Sequence, residues 1–162
     1  MNWRATITLR LVALMLLADA AGAFAQEVQT RLTPDEIAAM GKAGPGAGTS
    51  GVAGIQSIVL AGDPGKAGPY TIMIRVPAHT RIAAHDHRDD RSAVVVSGQW
   101  YLGYGATATD AALKPLPPGS FYTEPAGAPH FAMTGDMPAV VYISGTGPTS
   151  TTYVDPANAP RP

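Results

Sequence analysis

Residues 119–130 read GSFYTEPAGAPH, and this stretch carries most of the information about the fold. The run SFYTEP has the aromatic and threonine content of a β-strand, and PHFAMTG begins another strand after the turn AGA. His130 stands at the start of that later strand. The stretch therefore predicts two strands that flank a turn, with a histidine where the second one begins.

The same alternation of short strands and turns extends over residues 55–155. The run TIMIRV, residues 71–76, alternates between two faces, and RSAVVV and QWYLGYG are expected to be separate strands, as are PHFAMTG and AVVYISGTG. Strands that recur every roughly eight to twelve residues, without helical patterns between them, indicate an all-β sandwich or barrel. The final segment PANAPRP, residues 156–162, is expected to be disordered.

Composition agrees with a single compact β domain. The chain has 162 residues, of which 46% are hydrophobic and only 14% charged, with 18 Gly and 15 Pro. A net charge of −1 provides no electrostatic footprint for nucleic acid or for an anionic membrane surface. Because the chain has no cysteine, the fold must rely on its core and not on disulfides.

The first 25 residues have the pattern of a secretory signal peptide. MNWRATITLR carries two arginines, LVALMLL is a short apolar run, and AGAFA places small residues before a cleavage point after Ala25. The apolar run Leu11–Leu17 is far shorter than the roughly 20 residues of a membrane span, and Asp19 interrupts its continuation. We therefore expect residues 1–25 to be removed, no stable membrane span, and a periplasmic or secreted product.

Residues 26–54 are predicted to contain a short helix and a Gly-rich connector. Thr33 suits the N-cap, Pro34 the first helical position, and Glu36 completes a capping box. The run GKAGPGAGTSG, which begins at Gly41, cannot continue the helix. We expect this run to be a flexible connector to the β domain.

The histidines are the candidate metal ligands. His85 and His87 lie two residues apart on a predicted strand, so their imidazoles face the same side, and His130 is the third candidate, from a later strand. Three imidazoles suit Zn, Fe, Cu, Ni or Mn. The spacing alone does not separate this site from a surface pair of histidines. The fourth histidine, His79, is expected in a surface turn.

Both histidine segments resemble the motifs of the cupin superfamily. The first motif, G-x5-H-x-H-x3,4-E-x6-G, is matched by the histidine pair and Gly98; the second, G-x5-P-x-G-x2-H-x3-N, is matched at Gly119, Pro125, Gly127 and His130. The resemblance implies an all-β fold over residues 55–155, a cupin-type double-stranded β-helix or jelly-roll barrel, preceded by the short N-terminal helix. It also implies a divalent metal near the centre of the barrel.

Three positions depart from the motifs. His79 replaces the first glycine, and Thr134 replaces the final asparagine. Arg91 stands where the family has its glutamate ligand, and the longer spacing gives Ser92. Neither residue replaces a carboxylate ligand, although a shift in register would bring Asp90 inward.

The sequence leaves three interpretations of the pocket open. In the first, the metal is held by three histidines while Arg91 clamps the charged end of an anionic ligand, which requires an acidic group such as Glu124 nearby; Glu124 at the metal would instead restore a carboxylate ligand. In the second, a metal-free pocket binds an organic ligand through Arg91, the histidines and aromatics such as Tyr101, Tyr104 and Tyr122. In the third, the protein has a structural or assembly role, and Trp100 and Tyr101 only pack. Alternation shows that Tyr122 and Glu124 share a face but does not say which face is inward.

The signal-peptide pattern and the resemblance together indicate an exported single-domain cupin that binds a divalent metal through His85, His87 and His130. The missing carboxylate and Arg91 favour a small, anionic ligand. If it is an enzyme, a metal-dependent dioxygenase-like reaction is favoured, with Glu124 or Tyr122 as candidate bases. The alternative is a periplasmic ligand-binding or sensing protein without turnover, in a metal-bound or metal-free form. Many cupins pair through their sheets, so a homodimer is the candidate assembly.

Overall fold

The computed structural model describes residues 29–160, so the predicted signal peptide lies outside the described residues. These residues form one short helix, α1 (Pro34–Ala39), and eight strands. The strands are β1 (Gln56–Gly62), β2 (Gly68–Val76), β3 (Arg81–His87), β4 (Arg91–Tyr104), β5 (Lys114–Leu116), β6 (Phe121–Glu124), β7 (His130–Gly147) and β8 (Thr151–Tyr153). Within residues 29–160, no helix is long and apolar enough to cross a membrane.

The 18-residue strand β7 organises the sheet. Its first half pairs with β3, its second half pairs with β2, and β4 runs beside most of its length. β1 completes the edge beside β2, β8 pairs with β3, and β5 and β6 pair with β4. All of these pairings are antiparallel. The sequence predicted four separate strands, at residues 91–96, 99–105, 129–135 and 139–147. In the structure β4 joins the first two runs and β7 joins the other two.

β4 stays continuous because it bends at Gly98. This residue has φ +85°, and a Cβ atom here would lie 1.8 Å from the carbonyl oxygen of Pro138, so only glycine fits. The pairing with β7 is irregular on both sides of Gly98. Val95 is buried before the bend and Trp100 after it. The residues of β4 that face the core are therefore odd-numbered before the irregularity and even-numbered after it.

The helix covers the outer face of the sheet. Its capping box is present as predicted, with the Thr33 main-chain N–H donating to Glu36 Oε2 at 2.7 Å. Ile37 packs against Ile58 and Met73, whose side chains point away from the main core. The short helix predicted from the sequence is therefore confirmed, and its role is to bury apolar residues of β1 and β2.

Two segments outside the β domain differ from expectation. Gly48, Thr49 and Ser50, in the run expected to be a flexible connector, are buried against the barrel. Pro156–Asn158, in the segment expected to be disordered, form a 3-10 turn capped by Asp155. In both cases, main-chain groups in Gly- or Pro-rich segments find hydrogen-bond partners, which composition alone does not reveal.

Candidate functional site

β3 and β7 bring the three predicted histidines together. His85 lies directly opposite His130 in the strand pairing, and His87 follows two residues later on the same face. The ring centroid of His85 lies 4.4 Å from that of His130 and 5.0 Å from that of His87. One potential ligand atom from each residue lies within 4.8 Å of the others, and all three side chains are buried. This is a compact, three-imidazole cluster.

A bulge in β3 aims the histidine pair inward. Ile82 and His85 line the same cavity although they are three residues apart, whereas a regular strand would place them on opposite faces. The pairing of β3 with β7 is irregular between these two residues, which reverses the phase of the strand. Without that irregularity, the alternation that buries Ile82 would direct His85 and His87 to the outer face.

The main chain sets the tautomer of each imidazole. Each Nδ1 faces a carbonyl oxygen, to which it donates: Ala83 for His85 (2.8 Å), Ser150 for His87 (2.9 Å) and Ala128 for His130 (3.2 Å). A ring that donates from Nδ1 presents the lone pair of Nε2. The Nε2 atoms of His87 and His130 are buried and have no hydrogen-bond partner within residues 29–160. This is the arrangement in which a histidine serves as a metal ligand, so the residues present fit a transition metal.

Burial keeps two of these imidazoles neutral. Loss of solvent lowers the pKa of His85 to about 4, and the neighbouring His130 acts in the same direction. Loss of solvent also lowers the pKa of His87 to about 2, and the nearby Arg91 guanidinium acts in the same direction. Both rings are therefore unprotonated at neutral pH, which is the state that binds a metal.

Arg91 forms a buried ion pair with Glu124 on the neighbouring strand. The two residues lie directly opposite each other in β4 and β6. Arg91 donates from Nε to Glu124 Oε2 at 2.7 Å, donates to the same oxygen from Nη2, and donates from Nη1 to the carbonyl oxygen of Gly48 at 2.9 Å. Burial, the largest single effect, would lower the pKa of Arg91, but Glu124 together with Tyr70 and Tyr122 outweighs it, and that pKa is raised. The cation is thus compensated within the chain.

Glu124 also lies beside the histidines. Its Oε1 is 3.4 Å from Nε2 of His130, and its Oε2 is 3.9 Å from Nε2 of His87. Strand β6 buries Tyr122 and Glu124 and exposes Phe121 and Thr123, which settles the face that alternation left open. A carboxylate therefore stands next to the three imidazoles, although it comes from a different strand than the glutamate of the first motif.

Hydrogen bonds to its three main-chain carbonyl oxygens hold the segment Gly48–Ser50 over the site. The side chain of Arg91 donates to Gly48 at 2.9 Å, that of Thr151 to Thr49 at 2.8 Å, and that of Tyr153 to Ser50 at 2.8 Å. The segment lines a cavity of about 20 Å³ that also contacts His85, His130 and Glu124. This volume is about what one ordered water needs. Sequence reasoning missed the segment because its contacts are made by backbone atoms.

Trp100, and not Tyr101, lines the cavity. Tyr101 is half-buried on the opposite face of β4, and its ring lies next to Gly135. Counting by twos from the buried Arg91 predicts Tyr101 to face inward, but the irregular pairing at Gly98 shifts the phase by one residue. Tyr101, predicted to bind the ligand, therefore lies outside this cavity, and Trp100 takes the inward position.

The remaining polar candidates lie apart from the triad. Asp90 is exposed and accepts a hydrogen bond from the Ala126 main-chain N–H at 2.8 Å, so it does not turn inward. Asp89 is buried but accepts a hydrogen bond from Tyr70 at 2.8 Å. His79 lies in an exposed turn with φ +56°. None of the three contributes to the cluster of histidines.

Comparisons with known proteins show a likeness in structure. No model of a known protein family matches the chain, and no curated protein matches it. An RmlC-like cupin from Shewanella frigidimarina is 15% identical with a TM-score of 0.54, over 75% of this chain and 93% of that one. The DMSP lyase DddQ from Ruegeria pomeroyi is 19% identical with a TM-score of 0.52, over 60% of this chain and 50% of that one. A sugar phosphate isomerase of the cupin superfamily from Silicibacter pomeroyi is 25% identical with a TM-score of 0.50, over 67% of this chain and 71% of that one.

The strand order and these likenesses define the class of protein, an antiparallel β-barrel enclosing a cluster of histidines. The chain has the cupin fold, and the predicted jelly-roll architecture is confirmed. It spans about half the length of the DMSP lyase that it matches, 50% of that chain.

Tyr153→Phe tests whether the segment Gly48–Ser50 is held as described. The variant loses the hydroxyl that donates to the Ser50 carbonyl oxygen but keeps the ring, whose centroid lies 5.4 Å from that of His85. We expect the unfolding free energy in urea to fall by about 1 kcal/mol, and the amides of residues 48–51 to exchange faster with deuterium. Tyr142→Phe, a change of the same size on the outer face, is the control. Equal exchange in wild type and Tyr153→Phe would contradict the prediction.

Proposed function

We propose that this protein is exported and binds a divalent transition metal through His85, His87 and His130, with a small oxygen-bearing ligand beside the metal. The observation that carries the proposal is the pair of buried Nε2 atoms, on His87 and His130, that have no hydrogen-bond partner among the described residues. Buried polar atoms are seldom left unsatisfied. A metal ion at the centre of the cluster would satisfy both.

The donor set favours a particular group of metals. Three imidazoles suit Zn, Fe, Ni, Cu and Mn, whereas Ca and Mg prefer sites made of oxygen ligands. Glu124 Oε1, 3.4 Å from Nε2 of His130, is placed to add one carboxylate oxygen. His85 and His87 are neutral at pH 7, so neither has to release a proton for the metal to bind.

The charge balance favours an anionic or strongly polar ligand. Arg91 and Glu124 neutralise each other, and a divalent ion bound by the three imidazoles would add two positive charges to a buried site. A buried charge without compensation is unfavourable. When bound, such an ion would supply Lewis acidity, polarising an oxygen atom of the ligand. The chain's own residues orient that ligand and limit the water around it.

A binding or sensing protein without turnover is the second candidate function. The cavity of about 20 Å³ supports it, because an organic substrate needs more room than one water occupies. Oxygen uptake by the Fe(II)-loaded protein distinguishes the two candidates. Uptake with thiols, diketones or carboxylic acids would support a dioxygenase-like enzyme, and silence across the panel would support binding alone.

Metal analysis of the purified protein tests the metal site. We expect about one metal ion per chain in the wild type after equilibration with zinc or iron, and little in His85→Ala or His130→Ala. His79→Asn is the matched control, because this histidine is exposed and asparagine tolerates its φ of +56°. A wild type without stoichiometric metal, or a His130→Ala variant that retains it, would end the proposal.

A further inference from the structure

Five buried side-chain polar atoms have no hydrogen-bond partner in the part of the chain that the structure describes. Two are the Nε2 atoms of His87 and His130, which the proposed metal would satisfy. The others are Ser50 Oγ, Trp100 Nε1 and Tyr122 Oη. All three belong to residues that line the same small cavity as His85 and His130. Unpartnered atoms concentrated at one place indicate a partner other than the described residues.

Trp100 and Tyr122 converge on this cavity from two strands. Trp100 follows the bend of β4, and Tyr122 precedes Glu124 by two residues on β6. Burial raises the pKa of Tyr122 well above its usual range, Glu124 adds to the rise, and Arg91 and Trp100 act in the opposite direction. Trp100 and Tyr122 are therefore neighbours, but neither Nε1 nor Oη has a partner with good hydrogen-bond geometry among the described residues. Each still has a donor to offer to a third group.

The chemistry of these donors specifies what they recognise. An indole N–H can only donate, and a phenol hydroxyl can also donate. Their common partner is therefore an acceptor, such as a carboxylate or carbonyl oxygen. Arg91 is engaged by Glu124 and by the Gly48 carbonyl. The neutral pair Trp100 and Tyr122, more than Arg91, is thus available to hold an oxygen of a ligand.

We propose that Trp100 and Tyr122 form a subsite, a pair of hydrogen-bond donors that binds one oxygen of a small carboxylate held beside the metal. The proposal rests on the proposed metal site and adds the class of ligand and the residues that orient it. With the segment Gly48–Ser50 in place the cavity of about 20 Å³ holds about one water, so even the smallest carboxylate requires this segment to move aside. A single ordered water is the competing occupant, because it would satisfy the same donors.

Formate binding to the zinc-loaded protein tests the subsite. Zinc affinity is measured first, by titration of wild type, Trp100→Phe and Tyr122→Phe, and formate is then added in a calorimeter. We expect zinc affinity to be unchanged and formate affinity to fall about tenfold or more in each variant, as for loss of a hydrogen bond to a charged group. Tyr101→Phe, an adjacent tyrosine on the opposite face of β4, is the matched control and should behave as wild type.

The outcomes separate the subsite from the metal site. A wild type that does not bind zinc overturns the proposed function and, with it, the subsite. A wild type that binds zinc but not formate, or variants that bind formate as tightly as the wild type, overturn the subsite alone and leave water as the occupant. Tyr122→Phe removes one hydroxyl only, so it decides the matter if Trp100→Phe does not fold.

Discussion

Glu124→Ala is expected to lower the unfolding free energy by about 3–5 kcal/mol, since it leaves a buried charge without its partner. Arg91 is 5% exposed, and its guanidinium has Glu124 as its ion-pair partner among the described residues. Unfolding in urea, followed by circular dichroism at constant pH, measures the change. The loss arises mainly from the stranded guanidinium, because a surface pair of the same kind would contribute far less.

The double variant Arg91→Met, Glu124→Leu is the control for this explanation. Removing both charges removes the penalty of leaving one unpaired, so the double variant should be more stable than Glu124→Ala. Arg91→Met alone leaves the carboxylate beside the histidines, where a bound metal would compensate it; added zinc should therefore stabilise Arg91→Met more than the wild type. A loss below about 1 kcal/mol in Glu124→Ala, the size of an exposed pair, would refute the description of this pair as a buried one.

Metal binding is expected to produce the other large effect. A ligand that binds only the folded state at about 1,000 times its dissociation constant adds about 4 kcal/mol of stability. We expect zinc to raise the unfolding free energy of the wild type by this order when it is supplied at such an excess. The midpoint of thermal unfolding, measured with and without a chelator, reports the change.

His130→Ala is the variant that tests the assignment of this stabilisation. His130 joins β7 to the histidine pair on β3, and without it the cluster has lost the ligand from the second strand. We expect zinc to give little stabilisation in His130→Ala and full stabilisation in His79→Asn. A zinc effect of equal size in wild type and His130→Ala would place the metal elsewhere on the protein.

The histidine cluster could be predicted from the sequence because its geometry is partly local. Two histidines at i and i+2 share a face in any strand, and the matched spacing around His130 supplied the third. The glycine of the first motif was also recognisable in the sequence. The structure supplies its reason: Gly98 has a positive φ and lies against Pro138 of β7, so no other residue fits there.

The sequence did not reveal which residues of β4 and β6 face inward. A bulge shifts the phase of a strand by one residue, and its position depends on the partner strand. Counting from Arg91 therefore selects Tyr101, whereas the pairing with β7 selects Trp100. For Glu124 the periodicity was known, but the choice of face depended on the pairing of β6 with β4.

The sequence by itself determined the strand rhythm, the capped helix, the three histidines and the absence of the usual glutamate at Arg91. Only the tertiary structure decided that a glutamate from β6 stands beside the histidines and neutralises Arg91, and that the segment Gly48–Ser50 closes the site. The physical reason is the range of the interactions. Turn preferences, capping and strand periodicity depend on neighbouring residues, whereas a cross-strand ion pair and a backbone segment held by distant side chains exist only once the strands have paired.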